Sequence, residues 1–586
     1  MRLPTENSKV FLPADPCQKL FVQTWYSRVH SASLDTYRVR TLDSLAICDE
    51  LLSSLGNPYI SHYRTKSSCD EALDLLRKDH ILHQHWKEET NRALAALACV
   101  KGSKDKDTTC PDYLSLSYHL RRLKSTASIQ YKSHLIQALE VALTETDTDA
   151  VVDLTGRLLT RLINEGYSLE GLFGIVAKVL IRTTPHADFH NVFETAKSKV
   201  LAEDTQYQVI VRLLGPSIPI PPKVGLIEFN QAPFGVTAGK TKTEFYQAGK
   251  RTYYARMMVS ARDERSAGEE ARRSIERVMD ALRFELIHDP INIHDEFICI
   301  PNGLQASMFR FPSTVPNPKR NIAPADFSEF LQRLADLYIS KRFSPETKSK
   351  VESALHYYRL SLDTSQLQNR LVNSWTALEY LARERSVDSI IEGVSSNIIP
   401  LLVIPYLRTL LLDFRETLAF IEAKLPPPLA EEYGVGFYRH LRLEQLLEAI
   451  RGPYFLEIQS SCLVYPALQV ALWHFRQNIQ DNKATATYIK SHKQNIHWHL
   501  TRIYGARNDI VHSADTSTRL TLLCANLEYY VKLSLQEVLD VASTYHDINS
   551  LEEIFAVQRQ ALQLLVTELE KDKDTMLKAS LIGPIC

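Results

Sequence analysis

In Arg507-Asn508-Asp509-Ile510-Val511-His512 an arginine and a histidine stand five positions apart, where one helical pattern stops and another starts. Arginine is a permanent, forked phosphate binder, and histidine moves protons near neutral pH. With no metal-ligand cluster near it, such a pair points to phosphodiester cleavage driven by acid–base chemistry. The bare spacing is cheap. With 19 histidines and roughly half of the 68 basic residues being arginine among 586 residues, roughly one such pair arises by chance, so the surrounding elements have to decide.

The whole chain narrows the options. Its 586 residues exceed one core, and about three or four domains are expected. A composition of 45% hydrophobic and 23% charged residues is that of a soluble globular protein. The net charge of −1 argues against a general electrostatic grip on nucleic acid, so any RNA or DNA contact has to be a local patch. Met1 to Glu6 lacks the charged-then-apolar order of a signal peptide. The most apolar run, residues 398–407, is interrupted by Pro400 and Pro405 and is half the length of a membrane span. Nine cysteines are scattered without paired spacing and read as small buried hydrophobes in a reducing compartment. A cytoplasmic protein is expected, with no cofactor and no membrane contact.

Two proline clusters, Gly215 to Pro222 and Pro312 to Pro324, divide the sequence. Before the first, residues 1–213 form a helical N-terminal region, with helical periodicity from about residue 36 onward. Residues 223–312 carry the β-branched and aromatic content of strands at 224–229, 252–260, 296–300 and 307–311, around one amphipathic helix over 267–287. They predict a small α+β domain. Helices return over 325–586. Ser344-Pro345-Glu346 is a strong helix start, with an N-cap serine, proline in the first turn and an acid behind it. The next helix carries Leu367, Leu371, Trp375, Leu378 and Ala382. A third carries Ile489, Ile496, Leu500 and Ile503, and a fourth, capped by Asp515 or Thr516, carries Leu520 to Val538. Each shows one apolar stripe, so the four can close a bundle.

Leu371-Val372-Asn373-Ser374-Trp375-Thr376-Ala377-Leu378-Glu379-Tyr380-Leu381, followed much later by Arg507-Asn508 and His512, resembles an Apea-like HEPN domain. HEPN domains are four-helix bundles common in prokaryotic toxins and phage-defence ribonucleases. Their signature is arginine, usually a polar residue, then histidine four to six positions on. The resemblance covers residues 325–545, with an insertion of about 110 residues between the second and third helices. Ala261-Arg262-Asp263-Glu264-Arg265-Ser266-Ala267 is reminiscent of domains that precede HEPN in such proteins. The resemblance implies a metal-independent endoribonuclease, a toxin-type abortive-infection effector acting as a homodimer on RNA such as tRNA or mRNA. A non-catalytic HEPN module for dimerisation or regulation stands as the alternative.

In that chemistry His512 deprotonates a ribose 2′-hydroxyl and Arg507 stabilises the charge gathering on phosphorus. Asn508 can orient the histidine or bind a phosphate oxygen. The positive end of the following helix would favour the phosphate. The bland reading makes Arg507 a helix cap and His512 a turn residue. Glu379, one turn after Trp375, is a candidate orienter of the pair, or a boundary glutamate held by a nearby cation. Two stretches can grip RNA. Lys483, Lys490, Lys493 and Arg502 lie on the helix before the motif. Lys240, Lys242, Lys250, Arg251 and Arg256 interleave with Phe245, Tyr246, Tyr253 and Tyr254, either as a stacking surface or as a hairpin whose rings face its own core. Gly235 to Thr241 is one residue too short for a phosphate-binding loop. His80, His83 and His85 do not share one face, and neither do His497 and His499, so no metal site is expected.

Overall fold

The computed structural model describes the chain except residues 6–11, 33–41, 56–61, 103–110, 182–187, 217–218, 239–243, 248, 250, 286–291, 303–304, 312–323, 365, 384–388, 514–519 and 585–586. It is mostly helical, with one small antiparallel sheet. Where three successive parts were expected, the contacts gather into two compact units. Among the described residues, one holds 1–5, 13–157 and those from 324 onward, and the other holds 12 and those within 158–311.

The smaller unit is built on six strands: β1 (Thr205–Leu214), β2 (Lys223–Val224), β3 (Ile227–Asn230), β4 (Thr252–Ala261), β5 (Asn292–Pro301) and β6 (Ser307–Arg310). Their order is β2-β3-β4-β1-β5-β6, with every pairing antiparallel. The central strand β1 corrects the expected boundary, because residues up to 213 were read as helical. Val209, Val211 and Leu213 pack on one face while Ile210 is buried on the other. Its sequence alternates, with Tyr207, Val209, Val211 and Leu213 buried against Gln206, Gln208 and Arg212, and only Ile210 interrupts the period of two.

On one face lies the helix Glu264–Glu285, whose Ala267, Ala271, Ile275 and Met279 form a stripe at steps of four. Asp263 starts it, its Oδ1 accepting the N–H groups of Arg265 and Ser266, each at 2.9 Å. One turn in, burial and the Glu170 carboxylate push the Glu269 carboxyl up to about 8. Between the ordinary carboxylate value and about 8 the folded unit therefore holds a proton that the unfolded chain has lost, and its stability falls as pH rises. Glu269→Gln should remove that slope and stabilise the unit by about 2 kcal/mol at pH 8. Amide exchange of β1 at pH 6 and pH 8 measures it, and an equal slope in wild type and variant would contradict it.

In the larger unit, Pro345–Asp363 begins as its sequence predicts, with Ser344 Oγ accepting the Thr347 N–H at 3.1 Å. The tryptophan helix, Leu367–Ala382, packs against it and against both Asn482–Ser513 and Leu520–Thr544. Leu371, Trp375, Leu378 and Ala382 form its buried stripe. Between Ala382 and Asn482 the chain does more than cover a flank. Helix Ile390–Val403 packs against the tryptophan helix, against Asn482–Ser513 and Leu520–Thr544, and against Leu551–Glu570. The segment Ile390–Phe420 has the length and apolar content of a membrane span, but 78% of its most apolar window is buried inside the fold. It forms two helices that meet at Ile404–Pro405; Pro400 is accommodated within the first.

Arg370 of the tryptophan helix donates from Nε to Glu528 of Leu520–Thr544, and both side chains are buried. Removing one partner strands a charge, so Arg370→Met or Glu528→Gln should each cost about 3 kcal/mol. The double variant Arg370→Met with Glu528→Leu should recover most of that loss in chemical denaturation. Additive losses would show that the pair is not coupled.

Candidate active site

The motif helix, Asn482–Ser513, is capped by Asp481, whose Oδ1 accepts the Ala484 N–H at 2.7 Å. It runs through Arg507 and His512 instead of ending between them. Five residues of helix turn about 140°, so the two side chains leave on different sides. Arg507 follows the bundle-facing side, where Ile503 is buried and Tyr504 lies 5.2 Å from the Trp375 ring. His512 is exposed in the last turn, beside half-exposed Val511. Carbonyls crowd that end of a helix and favour a cation, so the motif helix itself supplies no anion-binding terminus at His512. The expected cap at Asp515 or Thr516 lies outside the described residues, and the next helix begins at Leu520.

Arg507 is half-buried. Its Nη1 donates to Asn508 Oδ1 at 3.0 Å, while its Nε is enclosed and makes no hydrogen bond. Among the described residues no carboxylate pairs with it. Asn508 thus spends its acceptor on Arg507, although its place one turn before His512 puts it on the histidine's side. Glu379 is occupied elsewhere: it accepts Trp375 Nε1 and Arg383 Nη1, each at 3.2 Å. The orienting role gains no contact, and the residue behaves as a boundary glutamate tied to a neighbouring arginine.

The proposed basic patch divides. Lys483, Lys490 and Lys493 are exposed, and Lys490 reaches Glu570. At about 1.5 Å per residue even Lys493 lies roughly 29 Å along the helix from His512, so these lysines are not adjacent to the motif. Arg502 is no RNA contact, because it points inward, 6% exposed, between Glu50 at 3.0 Å and Glu71. Burial works against its charge, but the two carboxylates outweigh burial and hold the guanidinium above its ordinary range. His497 meets Tyr63 Oη at 3.3 Å and His499 meets Tyr530 Oη at 2.8 Å, on different sides as their spacing requires.

In the smaller unit Phe245, Tyr253 and Tyr254 are buried, and the Tyr246 hydroxyl donates to the Ala238 carbonyl. The rings face their own core and are not a stacking surface for bases. Arg251 Nε donates to the Gly215 carbonyl at 2.9 Å. Arg256 pairs with Glu228, and Lys240, Lys242 and Lys250 lie outside the described residues.

What sequence reading missed is the partner of the motif's own acid. Asp509 accepts Arg64 Nη1 at 3.1 Å and Nη2 at 3.0 Å, a two-pronged pair reaching back to helix His62–Arg77. Gly505 makes room, since a Cβ there would stand 2.4 Å from Arg64 Cζ. Glycine inside an otherwise regular helix was the available signal; the arginine, 445 positions earlier, had none.

Comparison with protein-family models, curated proteins and solved structures finds no match.

Arg502 and Arg507 lie on one helix with opposite circumstances, and their variants should separate accordingly. Arg502→Lys keeps the charge but loses the fork, and should lower stability by about 2 kcal/mol while leaving RNA affinity per folded molecule unchanged. A thermal melt paired with an RNA-binding titration reads both. Weaker RNA binding at unchanged stability would return Arg502 to the nucleic-acid contacts.

Proposed function

We propose that this protein is a metal-independent endoribonuclease of the HEPN type, acting as an anti-phage abortive-infection effector. One observation carries the reading. Arg507 is a half-buried guanidinium that pairs with no carboxylate among the described residues, on a helix where the neighbouring cation Arg502 pairs with two. A cation kept in that state is a receptor for an anion, and a planar fork suits a phosphate. His512, exposed at the end of the same helix, is open to substrate.

In this mechanism the ribose 2′-hydroxyl attacks its own neighbouring phosphate. His512 takes the hydroxyl proton as the 2′-oxygen bonds to phosphorus, and Arg507 holds the charge on the non-bridging oxygens. The bond to the 5′-oxygen breaks, and that oxygen needs a proton from a second acid. A splay of about 140° keeps one motif from surrounding a phosphate. Two motifs facing each other across a homodimer supply base, acid and charge stabilisation together. Distant Lys483, Lys490 and Lys493 suit a long RNA rather than a short oligonucleotide. The same splay, with Glu379 engaged by Arg383, favours a second reading, a HEPN module that pairs or regulates without cutting.

Arg507→Ala and His512→Ala remove little packing and should each lower RNA cleavage at least a hundredfold without moving the melting temperature. Cleavage should persist in EDTA, leave 2′,3′-cyclic phosphate ends and spare DNA, which lacks the attacking hydroxyl. Normally folded variants that cut at the wild-type rate, or 3′-hydroxyl products, would sink the assignment.

A further inference from the structure

The motif helix is held along one face by the N-terminal helices Ser44–Leu55 and His62–Arg77. Gln494 Nε2 donates to Asp70 at 3.2 Å, Arg502 is enclosed by Glu50 and Glu71, and Arg64 lies over Gly505 to reach Asp509. Residues 494, 502, 505 and 509 recur at helical steps and define that face. Two turns beyond Gly505 the next position on it is His512, exposed just past the end of the contact.

Asp509 and His512 are three positions apart, so their side chains are neighbours on the helix surface. An unoccupied carboxylate there would pair with the imidazole, fix its ring and compete with the 2′-hydroxyl for its nitrogen. Both Asp509 oxygens are instead taken by the two Nη groups of Arg64. The pair is only partly exposed, Arg64 at 15% and Asp509 at 32%, and Gly505 lets the guanidinium lie against the helix backbone. A mid-helix glycine is disfavoured relative to alanine, so this recess is maintained against the helix's own preference.

We infer that Arg64 is a positioning residue for His512: it holds the Asp509 carboxylate away from the histidine and so keeps the imidazole available to RNA. The inference rests on the nuclease reading above for its consequence, but not for its geometry. Arg64 touches no substrate and acts only through Asp509. The N-terminal helices thereby become part of the site, since movement of His62–Arg77 would release Asp509 onto the histidine.

Three variants of the full chain test it. Arg64→Ala frees Asp509 directly. Gly505→Ala dislodges the guanidinium while leaving both charges in place and the helix intrinsically better formed. Each should lower kcat for RNA cleavage about tenfold with KM unchanged. Arg64→Ala combined with Asp509→Asn removes the competing carboxylate, and should restore kcat to within about twofold of wild type. A simple brace would behave oppositely, with the double variant as impaired as Arg64→Ala, and that result would overturn the inference. The ring ¹⁵N resonances of His512 give a readout free of catalysis. They should move in Arg64→Ala and return in the double variant. If the wild type cuts no RNA, the nuclease reading fails while these resonances still decide the inference. Unmoved resonances in Arg64→Ala would also overturn it.

Discussion

Arg502 sits between Glu50 and Glu71, and the seating of the motif helix against the N-terminal helices depends on that largely buried triad. A guanidinium with 6% exposure is tolerable only because two carboxylates surround it, one from each of two N-terminal helices. The triad is specific in a way apolar packing is not. Leucines can slide past one another, whereas a buried cation displaced by one turn loses both partners and pays the desolvation of all three charges. It therefore sets the register between the motif helix and segments more than 430 positions away. Once Arg502 is placed, Gly505 falls under Arg64 and Asp509 within its reach.

The same logic explains why N- and C-terminal helices share one unit while residues 158–315 form another. The tryptophan helix packs three neighbours, but helix Ile390–Val403 from the long connecting segment also enters that core. Its near-continuous apolar sequence suits a helix buried on most sides. The four helices expected to close a bundle are thus only part of a larger packing.

Legibility followed how local each signal was. The Ser344 cap, the Trp375 stripe and the helix behind β4 were readable because cap chemistry and apolar period act within a few residues. β1 carries a local signal too, the alternation of Gln206, Gln208 and Arg212 with Tyr207, Val209, Val211 and Leu213, but Ile210 interrupts it and a long helical stretch precedes it. The rings of residues 245–254 were readable as either of two things, and burial decided for the core. Arg502 was read as a surface cation because its partners lie at positions 50 and 71, and no local pattern announces a long-range ion pair. The motif pair was found by type and spacing, but its placement on one continuous helix, splayed about 140°, was not.

Three arginines on or beside the motif helix differ in what meets their charge. Arg502 meets two carboxylates and Arg64 meets both oxygens of one, so their charge is spent on geometry. Among the described residues Arg507 meets a neutral amide oxygen at 3.0 Å and no carboxylate. A neutral acceptor leaves most of the electrostatic demand of a guanidinium unanswered, whereas a carboxylate meets it. Residue type alone cannot make this distinction, because all three are arginine. The assignment of acids makes it: Glu50, Glu71 and Asp509 are each committed to a cation other than Arg507. The site is shaped as much by where those carboxylates are tied down as by the arginine and histidine that would meet a phosphate.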